Sequence, residues 1–161
     1  MKKLRVQFIL FMYENSQKQY RKYFKKKKRQ WQFSEAQLLN FQNDSLGKVL
    51  GDFYQKHGFR MIPKMENHDV YHLITDFSTN IQDEIAMQYL LFGNGKKTAY
   101  LLGTMLLGTL VFPEYYKMYY KAYYKGKAMK TFHHLNFEEL LWQNFYHLKD
   151  FLKQKENPVS F

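Results

Sequence analysis

The stretch His68-Asp-Val-Tyr-His72-Leu-Ile-Thr-Asp-Phe-Ser-Thr-Asn-Ile-Gln-Asp-Glu84 decides how this chain is read. On a helix, His68 and His72 are four apart and share a face, so both imidazoles can reach one ion. Asp69 points roughly a quarter-turn away, where it can orient an imidazole or act as an acid or base beside the site. About four more helical residues follow His72, then a turn at Phe77–Thr79, and a second helix starts near Asn80. Glu84 lies about as far past that turn as His72 lies before it. An antiparallel helical hairpin therefore sets the two at one level. Three ligands from two helices leave coordination positions open, which catalysis needs and structural sites usually lack. Helices also carry such histidine pairs as satisfied core residues, and the residues alone leave both readings open.

Helical spacing continues outward from this hairpin, with almost no alternating runs. Ser34-Glu-Ala-Gln37, Thr79-Asn-Ile-Gln82 and Asn136-Phe-Glu-Glu139 read as capping boxes. Gly58, Gly93 and Gly126 fall where helices should stop, and Pro113 follows an apolar run as a breaker. The pattern predicts helices near 17–31, 35–42, 45–57, 65–76, 80–92, 97–111, 114–125 and 136–154. The expected fold is all-α, one helical domain of seven or eight helices with the ligands on a helical hairpin. The remaining histidines, His57, His133, His134 and His147, sit at helix ends, in a polar turn or on an amphipathic helix, where structural roles suffice.

Composition narrows the chemistry. The 161 residues suit one domain with a sizeable core, and 45% hydrophobic residues argue against wholesale disorder. Zero cysteines exclude disulfides, iron–sulfur clusters and thiolate zinc sites, so any metal must take His nitrogen and carboxylate oxygen. The apolar run Thr98–Phe112 is short of the roughly 20 residues a bilayer span needs. The N-terminus has a basic head but no small-residue cleavage site, and is not read as a signal peptide.

The net charge of +11 is uneven. Residues 1–29 hold eleven Lys or Arg against the single acid Glu14, while the rest is nearly neutral. The chain is accordingly divided into a basic aromatic arm or helix over 1–33 and a helical metal- and lipid-binding domain over 34–161. Lys25, Lys26, Lys27, Lys28 and Arg29 are the expected anion- or membrane-binding residues of the arm, with Phe24 and Trp31 adding shallow insertion. Basic residues interleaved with aromatics also suit nucleic acid. The nearly neutral domain offers no second basic face to grip a nucleic-acid backbone, which disfavours that partner. A repeat of Tyr-Tyr-Lys from Tyr115 to Lys125 places two tyrosine stripes beside a lysine stripe, Lys117, Lys121 and Lys125. Two readings fit it: a half-buried helix whose phenols reach water, or a face at a lipid headgroup region.

The run from His68 to Glu84-Ile-Ala resembles the signature of the coenzyme Q (ubiquinone) biosynthesis protein 4 family: the same His-Asp-x-x-His, eleven-residue gap and Glu. Ser45-Leu-Gly47, Phe53-Tyr54, Gly103 and Gly108, Lys125-Gly126-Lys127-Ala128, Phe137-Glu138 and Trp142 are similar to its flanking landmarks, over roughly Leu38 to Leu152. The segment between the first helix motif and His68 is shorter than in typical members, and the basic arm has no counterpart. The resemblance implies an all-helical protein at the membrane surface with one divalent metal, zinc or iron, held by His68, His72 and Glu84 with Asp69 as ligand or neighbour. It further implies a prenyl-tail tunnel, expected here at Leu90, Leu101, Met105 and Leu106. The activity it implies is oxidative C1 decarboxylation of a prenylated quinone precursor. A prenyl-lipid-binding scaffold for other quinone-biosynthesis enzymes is the alternative. The expected partners are a prenyl lipid or quinone precursor, an anionic membrane surface, those enzymes and a second copy of the chain. The expected place is the cytoplasm, against the inner face of the membrane.

Overall fold

The computed structural model describes Leu4, Arg5, Gln7 and residues 29–153. Within residues 29–153 seven helices follow one another: α1 (Glu35–Leu38), α2 (Leu46–His57), α3 (Glu66–Thr75), α4 (Ile81–Gly93), α5 (Ala99–Val111), α6 (Tyr116–Ala128) and α7 (Phe145–Lys153). A 3-10 turn, Pro113–Tyr115, joins α5 to α6. Among the described residues there is no strand, only one isolated bridge between Ser45 and Asn144. The all-α expectation holds. The predicted helix over 17–31 and Lys25–Lys28 fall largely or wholly outside the described residues, and Arg29 is exposed.

Helix starts follow their capping chemistry. The Ser34 hydroxyl accepts from the Gln37 amide while the Gln37 side chain accepts from the Ser34 amide, a complete capping box. Ser45 and Thr98 cap α2 and α5, and Gly58, at φ 63°, ends α2 in the left-handed conformation that glycine tolerates. Several boundaries move from expectation: α1 ends at Leu38 and not near 42, and α6 runs to Ala128 and not to 125. The cap of α4 is Asn80, whose side chain accepts from the Asp83 amide at 2.9 Å, one residue later than the Thr79 box would place it. The last helix starts at Phe145 and not near 136. The carbonyls of Leu141 and Gln143 are taken by the amides of Gly47 and Leu46 at the start of α2, so they cannot serve a helical ladder. Asn144 then caps α7 by accepting from the His147 amide.

Helix α4 is the centre of the molecule. Its residues Ile85, Ala86, Met87, Leu90 and Leu91 are buried. Against α6 the approach is backbone to backbone. A Cβ at Gly93 would lie 2.1 Å from the Tyr123 carbonyl oxygen, and one at Gly126 would lie 2.0 Å from that of Leu90. Gly126 therefore does not stop its helix as expected; it lies inside α6 because only hydrogen fits there. The buried Asn94 side chain secures this seam, donating to the Lys130 carbonyl and accepting from the Phe132 amide. Against α5, Ile85 fills the space a side chain at Gly108 would need.

The tyrosine repeat divides between inside and outside. Tyr119 is fully buried and stacks on Tyr89 at 5.2 Å, and its hydroxyl has no partner among the described residues. Tyr116, Tyr120 and Tyr124 are about half exposed. Helix α5 is similarly two-sided: Leu101 and Met105 are buried, while Leu102, Leu106 and Leu110 are 47%, 66% and 71% exposed. No described helix is long and apolar enough to cross a membrane. Trp31, assigned to the arm and expected to insert into lipid, is a core residue at 5% exposure, and Phe33 packs against that core. A side chain already removed from water inside the fold is not available for insertion.

Candidate metal centre

The hairpin of α3 and α4 brings His68, His72 and Glu84 together as its sequence spacing predicts. Helix α3 ends where Asp76 turns left-handed at φ 62°, and both Lys149 and Lys153 of α7 bond its carboxylate. Two residues on, Ser78 begins a tight network with Asn80 and Asp83, in which the Asp83 carboxylate accepts from the Ser78 amide at 3.0 Å and from its hydroxyl at 2.6 Å. That network fixes the first turn of α4, and the next residue is Glu84.

The three side chains offer one donor atom each, all within 4.8 Å of one another. Nε2 of His72 lies 3.1 Å from Glu84 Oε1 and 3.3 Å from Nε2 of His68, and His68 Nε2 lies 3.2 Å from Glu84 Oε2. His72 is nearly inaccessible, while the side chains of His68 and Glu84 keep 17% and 13% exposure, so the centre opens on one side.

His72 Nδ1 faces the Phe77 carbonyl oxygen at 3.0 Å. A carbonyl only accepts, so Nδ1 carries the proton and the neutral ring presents a lone pair at Nε2. In the neutral ring that lone pair points at a carboxylate and at another imidazole nitrogen, an arrangement that repels unless a proton or a metal cation lies among them. Glu84 Oε2, close to His68 but without hydrogen-bond geometry, is buried and unsatisfied. A tetrahedral ion with bonds of about 2.0–2.1 Å separates its ligands by roughly 3.3–3.4 Å, close to the spacings here. The donor set fits a divalent ion with an open position.

Electrostatics agree with a site for positive charge. Burial pushes the Glu84 carboxyl up, but His68 and His72 outweigh it and bring the group down to about 2. Burial lowers His72, yet Glu84 and the Phe77 carbonyl leave it raised overall. Asp69 stands outside the donor cluster. Its carboxyl is raised by burial against the opposing pull of His68 and Tyr54, and it accepts a 2.7 Å hydrogen bond from the Tyr54 hydroxyl. Phe53, beside Tyr54 on α2, stacks on the His72 ring at 6.3 Å. Phe53-Tyr54 stands in the sequence only as an aromatic pair similar to a flanking landmark of the family, and only the fold brings α2 over α3. The Phe77 carbonyl gave no sequence signal, since every residue has one. Of the four expected tail-binding residues, Leu90, Leu101 and Met105 lie in the core and Leu106 faces outward.

The family model described as coenzyme Q (ubiquinone) biosynthesis protein Coq4 matches residues 55–158, a stretch that contains all three donors. A crystal structure of a candidate ubiquinone biosynthesis protein from Nostoc punctiforme PCC 73102 has the same fold, with a TM-score of 0.64 at 16% identity over 81% of this chain and 72% of that one. No curated protein matches the sequence.

Proposed function

Because the chain belongs to the coenzyme Q (ubiquinone) biosynthesis protein Coq4 family, we propose that it serves ubiquinone assembly as a metal-dependent protein. Its centre is His68, His72 and Glu84, and its reaction is oxidative removal of the ring C1 carboxylate from a prenylated aromatic acid. The observation that carries this reading is the lone-pair face of His72 set against Glu84 at 3.1 Å, which calls for a cation. A bound zinc ion would polarise a substrate carboxylate, and iron would in addition provide for dioxygen.

The chain's own residues supply the rest. The Phe77 carbonyl holds the His72 proton on the far nitrogen, Phe53 limits the ring's rotation, and burial keeps water from one side of the centre. Asp69, its carboxyl raised by burial and anchored by Tyr54, adjoins His68 in sequence and is the carboxyl we assign to hold or move a proton. The partly exposed side chains of His68 and Glu84 mark the entry side. The outward leucines of α5 support work at a membrane surface, and that surface is where we place the protein.

The test is elemental analysis of protein purified without an affinity tag, followed by carbon dioxide release from a prenylated aromatic acid under air by zinc- and iron-loaded protein. One metal per chain with turnover supports the proposal. One metal without turnover leaves a lipid-binding scaffold as the function, and metal-free protein after incubation with both ions rejects the centre.

A further inference from the structure

A second polar site lies behind the hairpin turn. Phe77, Lys117, Met118, Lys121, Ala122 and Lys125 line a groove of about 530 Å³. Its floor is apolar, made by Phe77, Met118 and Ala122. Its rim is cationic, because Lys117, Lys121 and Lys125 recur every four residues along α6 and so line one side over about 12 Å. Lys125 donates to the Thr75 carbonyl at 2.6 Å and stands over the Phe77 ring at 5.3 Å, which fixes that end of the rim. Lys117 and Lys121 form no ion pair with any described residue. Of the carboxylates closest in sequence to the lining residues, Glu114 pairs with Arg5, and Asp76 pairs with Lys149 and Lys153. The face therefore carries uncompensated positive charge beside exposed apolar surface.

We propose that this groove binds the phosphate headgroup of an anionic lipid, with Lys117 and Lys121 on the phosphate and Phe77 and Met118 against the glycerol and first methylenes. Lipid is favoured over an acidic peptide by the exposed side chains that this helix and the one before it present. Tyr116, Tyr120 and Tyr124 form a half-exposed stripe on the same helix, and Leu102, Leu106 and Leu110 project from the helix before it. Tyrosine with lysine suits the headgroup level, and leucine suits the layer beneath. The lysines of this groove are not those of the basic arm, and the proposal stands whether or not a metal occupies the centre described above. It touches that centre at one point: Phe77 turns its ring to the groove and its carbonyl to His72.

The experiment uses the full chain and water-soluble short-chain phosphatidylglycerol below its micelle concentration, with phosphatidylcholine of equal chain length and inorganic phosphate as comparisons. Methionine methyl spectra localise binding, because Met118 lines the groove. Binding should shift the Met118 methyl. Lys117→Ala combined with Lys121→Ala should weaken phosphatidylglycerol about tenfold or more, with metal content unchanged. Alanine at Lys25, Lys26, Lys27 and Lys28 should leave this binding within about twofold. Both lysines of the double variant are exposed, so folding is retained. Equal binding by wild type and double variant overturns the proposal. Equal affinity for phosphatidylcholine, or for inorganic phosphate, removes the anionic lipid as occupant, and stronger competition by an acidic peptide assigns the groove to a protein partner instead.

Discussion

Glu84 and His72 stand 3.1 Å apart with the imidazole's opposite nitrogen held against the Phe77 carbonyl. This single relationship makes the hairpin a cation site. The backbone of the turn sets the tautomer, the tautomer sets the lone pair, and Asn80 with Asp83 sets the carboxylate that the lone pair meets.

Removing a donor should empty the site without unfolding the chain. His72→Ala leaves two ligands and is expected to lose most of the bound metal, and Glu84→Gln, which keeps the shape but removes the charge, should do nearly the same. The check is metal content together with circular dichroism. A Glu84→Gln protein that keeps full metal content would show that Glu84 is not a ligand.

The Tyr54–Asp69 pair gives a different signature. Tyr54→Phe deletes the donor to a buried carboxyl, which should cost about 1–3 kcal/mol of stability, while the three donors are untouched and metal content should hold. Denaturant unfolding of the metal-loaded protein measures the first, elemental analysis the second.

The pH dependence of the metal-free protein follows from two opposed shifts. The Glu84 carboxyl, at about 2 against an ordinary 4.5, contributes stability that is complete above 4.5 and lost as pH falls from there toward 2. His72 is raised, so its contribution is complete below 6.5 and lost as pH climbs through its folded value. The site thus contributes most to the metal-free protein between about 4.5 and 6.5. A bound metal takes the deprotonated imidazoles, so the loss at high pH should vanish when metal is present. Thermal unfolding from pH 4 to 9, with chelator and with zinc, compared with a His72→Gln, Glu84→Gln double variant, reads both limbs. A chelator-treated wild type that loses nothing relative to the variant above pH 7 contradicts the assignment.

The hairpin was legible because two periodic facts coincide in it: a four-residue pair on one helix and a carboxylate at equal distance beyond a short turn. Two of the three capping boxes were legible to within a residue, whereas the one at Asn136 opens no helix; Thr79 and Asn80 are both capping residues, and the choice is made by Ser78 bonding back to Asp83. The start of α7 was not legible, since the residues that deny helix to 141–143 sit near Gly47, almost a hundred positions away. Nor was the role of Gly126, because a glycine that ends a helix and one that admits a neighbouring backbone look alike until the neighbour is in place. Charge counting over 1–33 likewise hid Trp31 among lysines, although its amide donates to Glu66 of α3 and its ring lies in the core.

The glycine seam can be tested directly. Gly126→Ala sets a methyl 2.0 Å from the Leu90 carbonyl oxygen and must push α6 off α4, at a cost of about 3 kcal/mol or more. Gly103 has nothing within 4 Å, so Gly103→Ala should be neutral or stabilise by about 0.5–1 kcal/mol through helix propensity. Denaturant midpoints of the two variants should move in opposite directions or differ by that sum.

Truncation locates the true edge of the fold. The Trp31 ring is 5% exposed, its amide donates to Glu66 at 3.3 Å, and the amide of Gln32 donates to Glu138 at 2.6 Å. Glu66 is itself fully buried and accepts from Lys64 through the same oxygen. A chain beginning at Ser34 therefore loses a large core side chain and both of these bonds, leaving Glu66 less satisfied in an apolar setting. Trp31→Ala alone should cost about 3–5 kcal/mol, and the chain from Ser34 should cost at least as much. A chain beginning at Arg29 keeps Trp31 but loses Arg5, which donates to the Val111 carbonyl at 3.0 Å and pairs with Glu114, and should lose less stability than the chain from Ser34. If the chains from Arg29 and from Ser34 prove equally stable, Trp31 contributes nothing to the core and the fold begins at Ser34.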